Sequence, residues 1–173
     1  MRLMPSMNDP ILVPIDGSRA ADAGLAYALR LAAALKTRVV LLHVIDGAPR
    51  FLQSAGALDE HLAALRDYGE QLLATAAVTV QDCGLQVSYF LRETADADAS
   101  TAILAEAAAQ HCGLIVLGTH GRRTHGKLPL GRDAELVLRD SAVPVLFVRS
   151  PFADEAGPPR HGSTASDPGA IAA

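Results

Sequence analysis

Short apolar runs alternate along this chain with longer segments in which apolar residues recur every three or four positions. Ile11-Leu12-Val13-Pro14-Ile15 is the first run, and Asp16-Gly17-Ser18 behind it reads as a turn and a helix cap. Leu25, Ala28, Leu29, Ala32 and Leu35 then mark one face of a helix that ends at Lys36-Thr37-Arg38. Val39 to Ile45 is a second strand, rich in β-branched residues on both faces. A loop with Gly47, Pro49 and Gly56 leads to a second helix carrying Leu62, Leu65, Leu72, Leu73, Ala76 and Val80, closed by Cys83-Gly84. Val87 to Leu91 is the third strand. Asp98 or Ser100 can cap a third helix whose apolar face is Ile103, Leu104, Ala107 and Ala108. Leu114 to Leu117 is the fourth strand. A glycine-rich loop follows, then a short helix with Ala134, Val137 and Leu138, and a fifth strand from Val143 to Val148.

Strands apolar on both faces, separated by amphipathic helices, predict an α/β fold: a doubly wound, five-stranded parallel sheet in a Rossmann-like three-layer sandwich. The folded unit is expected over residues 10–150. Residues 1–9 and the Gly-, Pro-, Ser- and Ala-rich 151–173 are expected to be disordered.

Composition narrows the classes of function. Half of the 173 residues are hydrophobic and 20% are charged, which excludes general disorder and coiled coil. Aromatic residues are 4% with no Trp, so Ala, Leu, Val and Ile must build the core. A net charge of −4 argues against a nucleic-acid-binding surface. No stretch qualifies as a membrane span, because Arg30 and Lys36 interrupt the most apolar early segment, and Met1 to Pro10 lacks the apolar centre of a signal peptide. Two cysteines fit a reducing compartment, so a cytoplasmic protein is expected. Cys83 and Cys112 precede different strands, and no disulfide is expected between them.

Open parallel sheets bind ligands beyond the carboxyl ends of their strands, where the strand order reverses. The residues to weigh are therefore Asp16-Gly17-Ser18, Val44-Ile45-Asp46, Arg92-Glu93 and the loop from Gly118 to Arg132. That loop holds four Gly and, after Thr119, four Arg or Lys, two His and no acid. A basic cluster beside a helix start suits an anion such as phosphate, since backbone N–H groups and the helix dipole receive the charge. The bland alternative is a solvated basic loop whose glycines only make turns. Gly121 to Lys127 also fits the first seven positions of a Walker A loop. Leu128 stands where Ser or Thr should hold Mg²⁺, however, and Pro129 interrupts the helix that should begin there.

The spacing Gly118-x2-Gly121-x9-Gly131, between a strand and a short helix, resembles the nucleotide signature of the universal stress protein family. The resemblance runs over about 11–149. It takes in Val13-Pro14-Ile15-Asp16-Gly17-Ser18, Leu42-His43-Val44, Ile115 to Gly121, Gly131 to Arg139 and Val143-Pro144-Val145-Leu146. It implies strand order 3-2-1-4-5, a homodimer through the fifth strand, and ATP or AMP binding in one subset of members. By position, Asp16 and the backbone of Val44 would contact adenine, with Pro14 lining the pocket. Leu117 and Gly118 would border base and ribose, and Gly121 and Gly131 would cradle phosphates. The next position is Ser or Thr in the binding subset but Arg132 here, which either grips phosphate with two parallel hydrogen bonds or fills the space itself, bonded to Asp16 or Asp46.

Asp16 has a plainer reading as a turn cap, and His43 as a satisfied core histidine. His111, Cys112, His120 and His125 lack zinc spacing, so no metal site is expected. Asp46 and Glu93 could hold a cation such as Mg²⁺ with the phosphates. No nucleophile elbow, paired carboxylates or Ser–His–Asp set is present. A stress-response binding protein acting as a sensor or switch is the leading expectation. A dimeric interaction protein with a plugged pocket and a weak ATPase are the alternatives.

Overall fold

Ile11, Leu12 and Val13 have almost no access to solvent, because the strand they form, β1 (Ile11–Pro14), lies in the middle of the sheet. In the computed structural model, which describes residues 6, 8–46, 55–94, 98–119 and 130–149, the other strands are β2 (Val39–Asp46), β3 (Val87–Thr94), β4 (Leu114–Gly118) and β5 (Val145–Val148). All pair in parallel, in the order β3-β2-β1-β4-β5. The helices are α1 (Arg19–Leu35), α2 (Ala55–Asp82), α3 (Ala99–Ala109) and α4 (Arg132–Asp140). The chain steps outward from β1 to β3, then returns to β4 on the other side of β1. The fold class and strand order are those expected.

Side chains alternate across the sheet and sort into two cores. On one face Val13, Leu41 and Val116 meet Leu25 and Ala28 of α1 and Leu73, Ala76 and Val80 of α2. On the other, Leu12, Val40, Leu42, Ile115 and Leu117 meet Ile103 and Ala107 of α3 and Val137 of α4. Each fully buried Leu, Ile or Val contributes about 1.5–3 kcal/mol, so this small-residue core needs no aromatic centre. Cys112 belongs to the second core, and burial pushes its thiol up to about 11. A thiol raised in the folded state supports folding below its ordinary value and loses that support as pH climbs through 11. Cys83 is exposed, and both cysteines are free, as expected.

Several boundaries differ from the expectation. β1 ends at Pro14 rather than Ile15, and β5 starts at Val145 rather than Val143. Pro144 has no N–H to give a ladder, and only its carbonyl is used, accepting from Ile115 at 3.0 Å. β3 continues through Arg92 and Glu93 to Thr94, because β2 extends to Asp46 and supplies a partner for each. Gly56 lies in the first turn of α2, where a glycine costs about 1 kcal/mol, less than the burial of Leu73 and Val80 returns. In α3 Ala108 is exposed and Glu106 is buried. Glu106 tolerates burial because Arg92 Nε donates to it at 2.7 Å and Gln110 Nε2 at 3.0 Å. Leu138 is 55% exposed, since the nine-residue α4 buries only Ala134 and Val137.

Candidate functional site

β2 and β3 pair for four residues beyond Leu42, the partner of the last residue of β1. At the usual rise this ladder extends about 13 Å beyond the end of β1, beside the switch point between β1 and β4. Pro14 follows Leu12 by two positions and so faces the α3/α4 side. Val44 and Leu117 pack on that same core. The three apolar residues expected around a base therefore share one face at the switch point.

Asp16 lies just beyond β1, and its Oδ1 accepts from Ser18 N at 2.9 Å, which holds the turn. Ser18 is the N-cap of α1, its Oγ accepting from Ala21 N at 3.1 Å. Gly17 adopts φ +79°, a left-handed conformation that suits glycine. The turn is braced by His43 of β2 and Tyr68 of α2, of which the sequence singles out only His43. His43, 2% exposed, places Nδ1 2.7 Å from the Ile15 carbonyl, and Nδ1–H donates to it. The Tyr68 ring stands edge-on to His43 at 6.1 Å, and its hydroxyl fills the space beside Gly17. Gly69 permits this approach, since a Cβ there would lie 2.7 Å from His43 Cδ2 and Leu91 Cδ1. His43 is thus the core histidine expected.

Gly118 has a packing task. A Cβ on it would sit 2.4 Å from the backbone carbonyl of Ala20, and Gly24 of α1 faces it from the same crossing. Thr119 N donates to Val148 O at 3.1 Å, and Gly131 N donates to Thr119 O at 3.0 Å. The two ends of the glycine stretch are therefore pinned together. Gly121, His120, His125, Lys127 and Pro129 lie outside the described residues. Gly131 is the N-cap of α4 and carries no side chain to close the helix start.

Arg132 opens α4. Its guanidinium does not bond Asp16, and the Asp46 side chain lies outside the described residues. Nη2 donates to Asp98 Oδ2 at 3.3 Å, on a side chain 78% exposed, because α3 starts alongside α4 on the same face. Glu93, which was expected to be able to help hold a cation, is engaged by Arg66. Arg66 bonds both its oxygens, at 2.8 Å for the longer contact, and holds its carboxyl below the usual carboxylate range. Among the described residues no group of three His, Cys, Asp or Glu could hold a metal ion, and no helix is long and apolar enough to cross a membrane.

A model of the universal stress protein family matches residues 7–149. The chain belongs to this family. A universal stress protein of Thermus aquaticus is 30% identical over 142 residues, spanning 80% of this chain and 97% of that one. The crystal structure of a universal stress protein family member from Burkholderia pseudomallei aligns with a TM-score of 0.69 at 29% identity, over 83% of this chain and 97% of that one. The crystal structure of a universal stress protein in complex with cAMP shares the fold with a TM-score of 0.61 at 22% identity, over 84% and 99% of the two chains. In this universal stress protein, glycines stand at 118, 121 and 131, and Arg132 follows the last of them.

Proposed function

We propose that this universal stress protein binds an adenine nucleotide, ATP or AMP, at the C-terminal ends of its strands and acts as a cytoplasmic sensor or switch in the stress response. Pro14, Asp16, Val44, Leu117 and Gly118 take the base and ribose. Gly121, Gly131 and Arg132 take the phosphates. The observation that carries this reading is the hydrogen bond from Gly131 N to Thr119 O. It draws the ends of the glycine stretch to the side-chain-free start of α4, a helix that packs on the same face of the sheet as Val44 and Leu117. The complex of a related fold with cAMP agrees with an adenine ligand.

A plugged pocket is the weaker reading, because Arg132 reaches outward to Asp98. No residue is given a catalytic role, and any Mg²⁺ would arrive with the triphosphate, since Glu93 is held by Arg66. Calorimetric titration with ATP, ADP and AMP up to millimolar concentration is expected to show uptake of at least one. Uptake of none removes the proposal.

Assembly follows from β5. Val145, Leu146, Phe147 and Val148 stand half-buried on an edge strand, a surface that proteins normally cover. We propose a homodimer through this strand, the folded unit being 10–150 as read from the sequence. Sedimentation at micromolar concentration is expected to give twice the mass of one chain, and a monomer contradicts the pairing.

A further inference from the structure

We propose that Asp98 is a displaceable counter-ion of Arg132 and sets how strongly the site favours ligands of higher phosphate charge. The inference rests on the nucleotide reading above and extends it to a residue outside the glycine signature.

Asp98 is the N-cap of α3, with φ −63° and ψ 149°. An aspartate in that position ordinarily accepts a hydrogen bond from a first-turn N–H of its own helix. Asp98 makes no such bond. Its Oδ2 instead takes Arg132 Nη2 at 3.3 Å, from the first residue of α4. The helices α3 and α4 cover the same core, and both begin at the C-terminal ends of the strands. Two positive helix ends and a guanidinium therefore lie at this edge of the sheet. Asp133 and Glu135 stand in the first turn of α4, and Asp98 is the carboxylate that bonds the guanidinium.

The pair is built to be replaced. It is a single long contact between side chains 78% and 44% exposed, the kind of ion pair that contributes little on its own. A phosphate carries more charge than a carboxylate and can accept two parallel guanidinium hydrogen bonds. On binding, phosphate takes Arg132, and Asp98 turns back to the first-turn N–H of Ser100, that of Thr101 already donating to the Asp98 carbonyl at 3.0 Å. Asp98 thus competes for the guanidinium against every ligand, and the competition matters only for ligands that use Arg132.

The test is calorimetric titration of adenosine, AMP and ATP into the wild-type protein, Asp98→Asn, Arg132→Ala and the double variant. Asn is also a good N-cap, so Asp98→Asn preserves the start of α3. Asp98→Asn is expected to tighten ATP about two- to fivefold, AMP by less, and adenosine not at all. In the Arg132→Ala background the same change is expected to have no effect. Unchanged ATP and AMP affinities in Asp98→Asn overturn the inference and leave the nucleotide site standing. An equal gain in both backgrounds also overturns it, because Asp98 would then act by long-range repulsion. If neither the wild type nor Asp98→Asn takes up any of the three, the nucleotide reading and the inference fall together.

Discussion

Gly118→Ala is expected to destabilise the fold by about 1–3 kcal/mol and to lower the midpoint of thermal unfolding by roughly 4–10 °C. The added Cβ would lie 2.4 Å from the carbonyl carbon and oxygen of Ala20 and 2.9 Å from its Cβ. Those first two atoms are backbone in the first turn of α1. They cannot rotate aside as a side-chain tip would, and the Ser18 cap fixes the turn that carries them. The helix must retreat from the sheet, taking Leu25 and Ala28 out of contact with Val13 and Val116. Gly24→Ala is the internal control, because its Cβ would come no nearer than 3.3 Å to Gly118 N, so its loss should be smaller. Circular dichroism melts without nucleotide make the comparison. An unchanged midpoint for Gly118→Ala would mean that α1 slides freely over β4, and the glycine would then be explained by ligand approach alone.

Asp16→Ala is expected to weaken adenine-nucleotide binding by about 10- to 100-fold, with a stability loss of about 1 kcal/mol. The stability part comes from the Ser18 N–H, which loses its acceptor at 2.9 Å in a turn that also contains the left-handed Gly17. The binding part is the loss of a charged acceptor at the proposed base contact, the kind of hydrogen bond that contributes about 1.5–3 kcal/mol. Asp16→Asn separates the two, since its side-chain carbonyl can still accept from Ser18 while the charge is gone. Titration calorimetry and chemical unfolding on both variants provide the measurements. Wild-type affinity in both would make Asp16 a turn cap and nothing more.

His43 and Tyr68 explain why that turn is a firm platform. The imidazole holds the Ile15 carbonyl, and the phenol closes the far side of Gly17. The bracing side chains come from the α2 face of the sheet, and the proposed base contacts lie on the α3/α4 face. The turn between them is therefore supported from behind without its support competing for the ligand.

The layered sheet and the start of α1 at Ser18 were legible in the residues, as was the left-handed stop at Gly84, which has φ +73°, and the strand order came with the family resemblance. Each depends on a signal that repeats or sits within a few positions along the chain: apolar period, cap chemistry, and glycine spacing shared with a family. What the three-dimensional fold alone decided lies between elements. Glu106 is buried because Arg92 of β3 and Gln110 reach it, so a charged residue replaced Ala108 on the inner face of α3. β3 gained three residues because β2 was long enough to pair them. Gly118 answers to the backbone of α1, and Arg132 to a carboxylate 34 residues earlier. Periodicity reports which face of an element is apolar. It carries no information about which side chain stands opposite once that face is packed, and those opposing partners decide where charge rests around the proposed site.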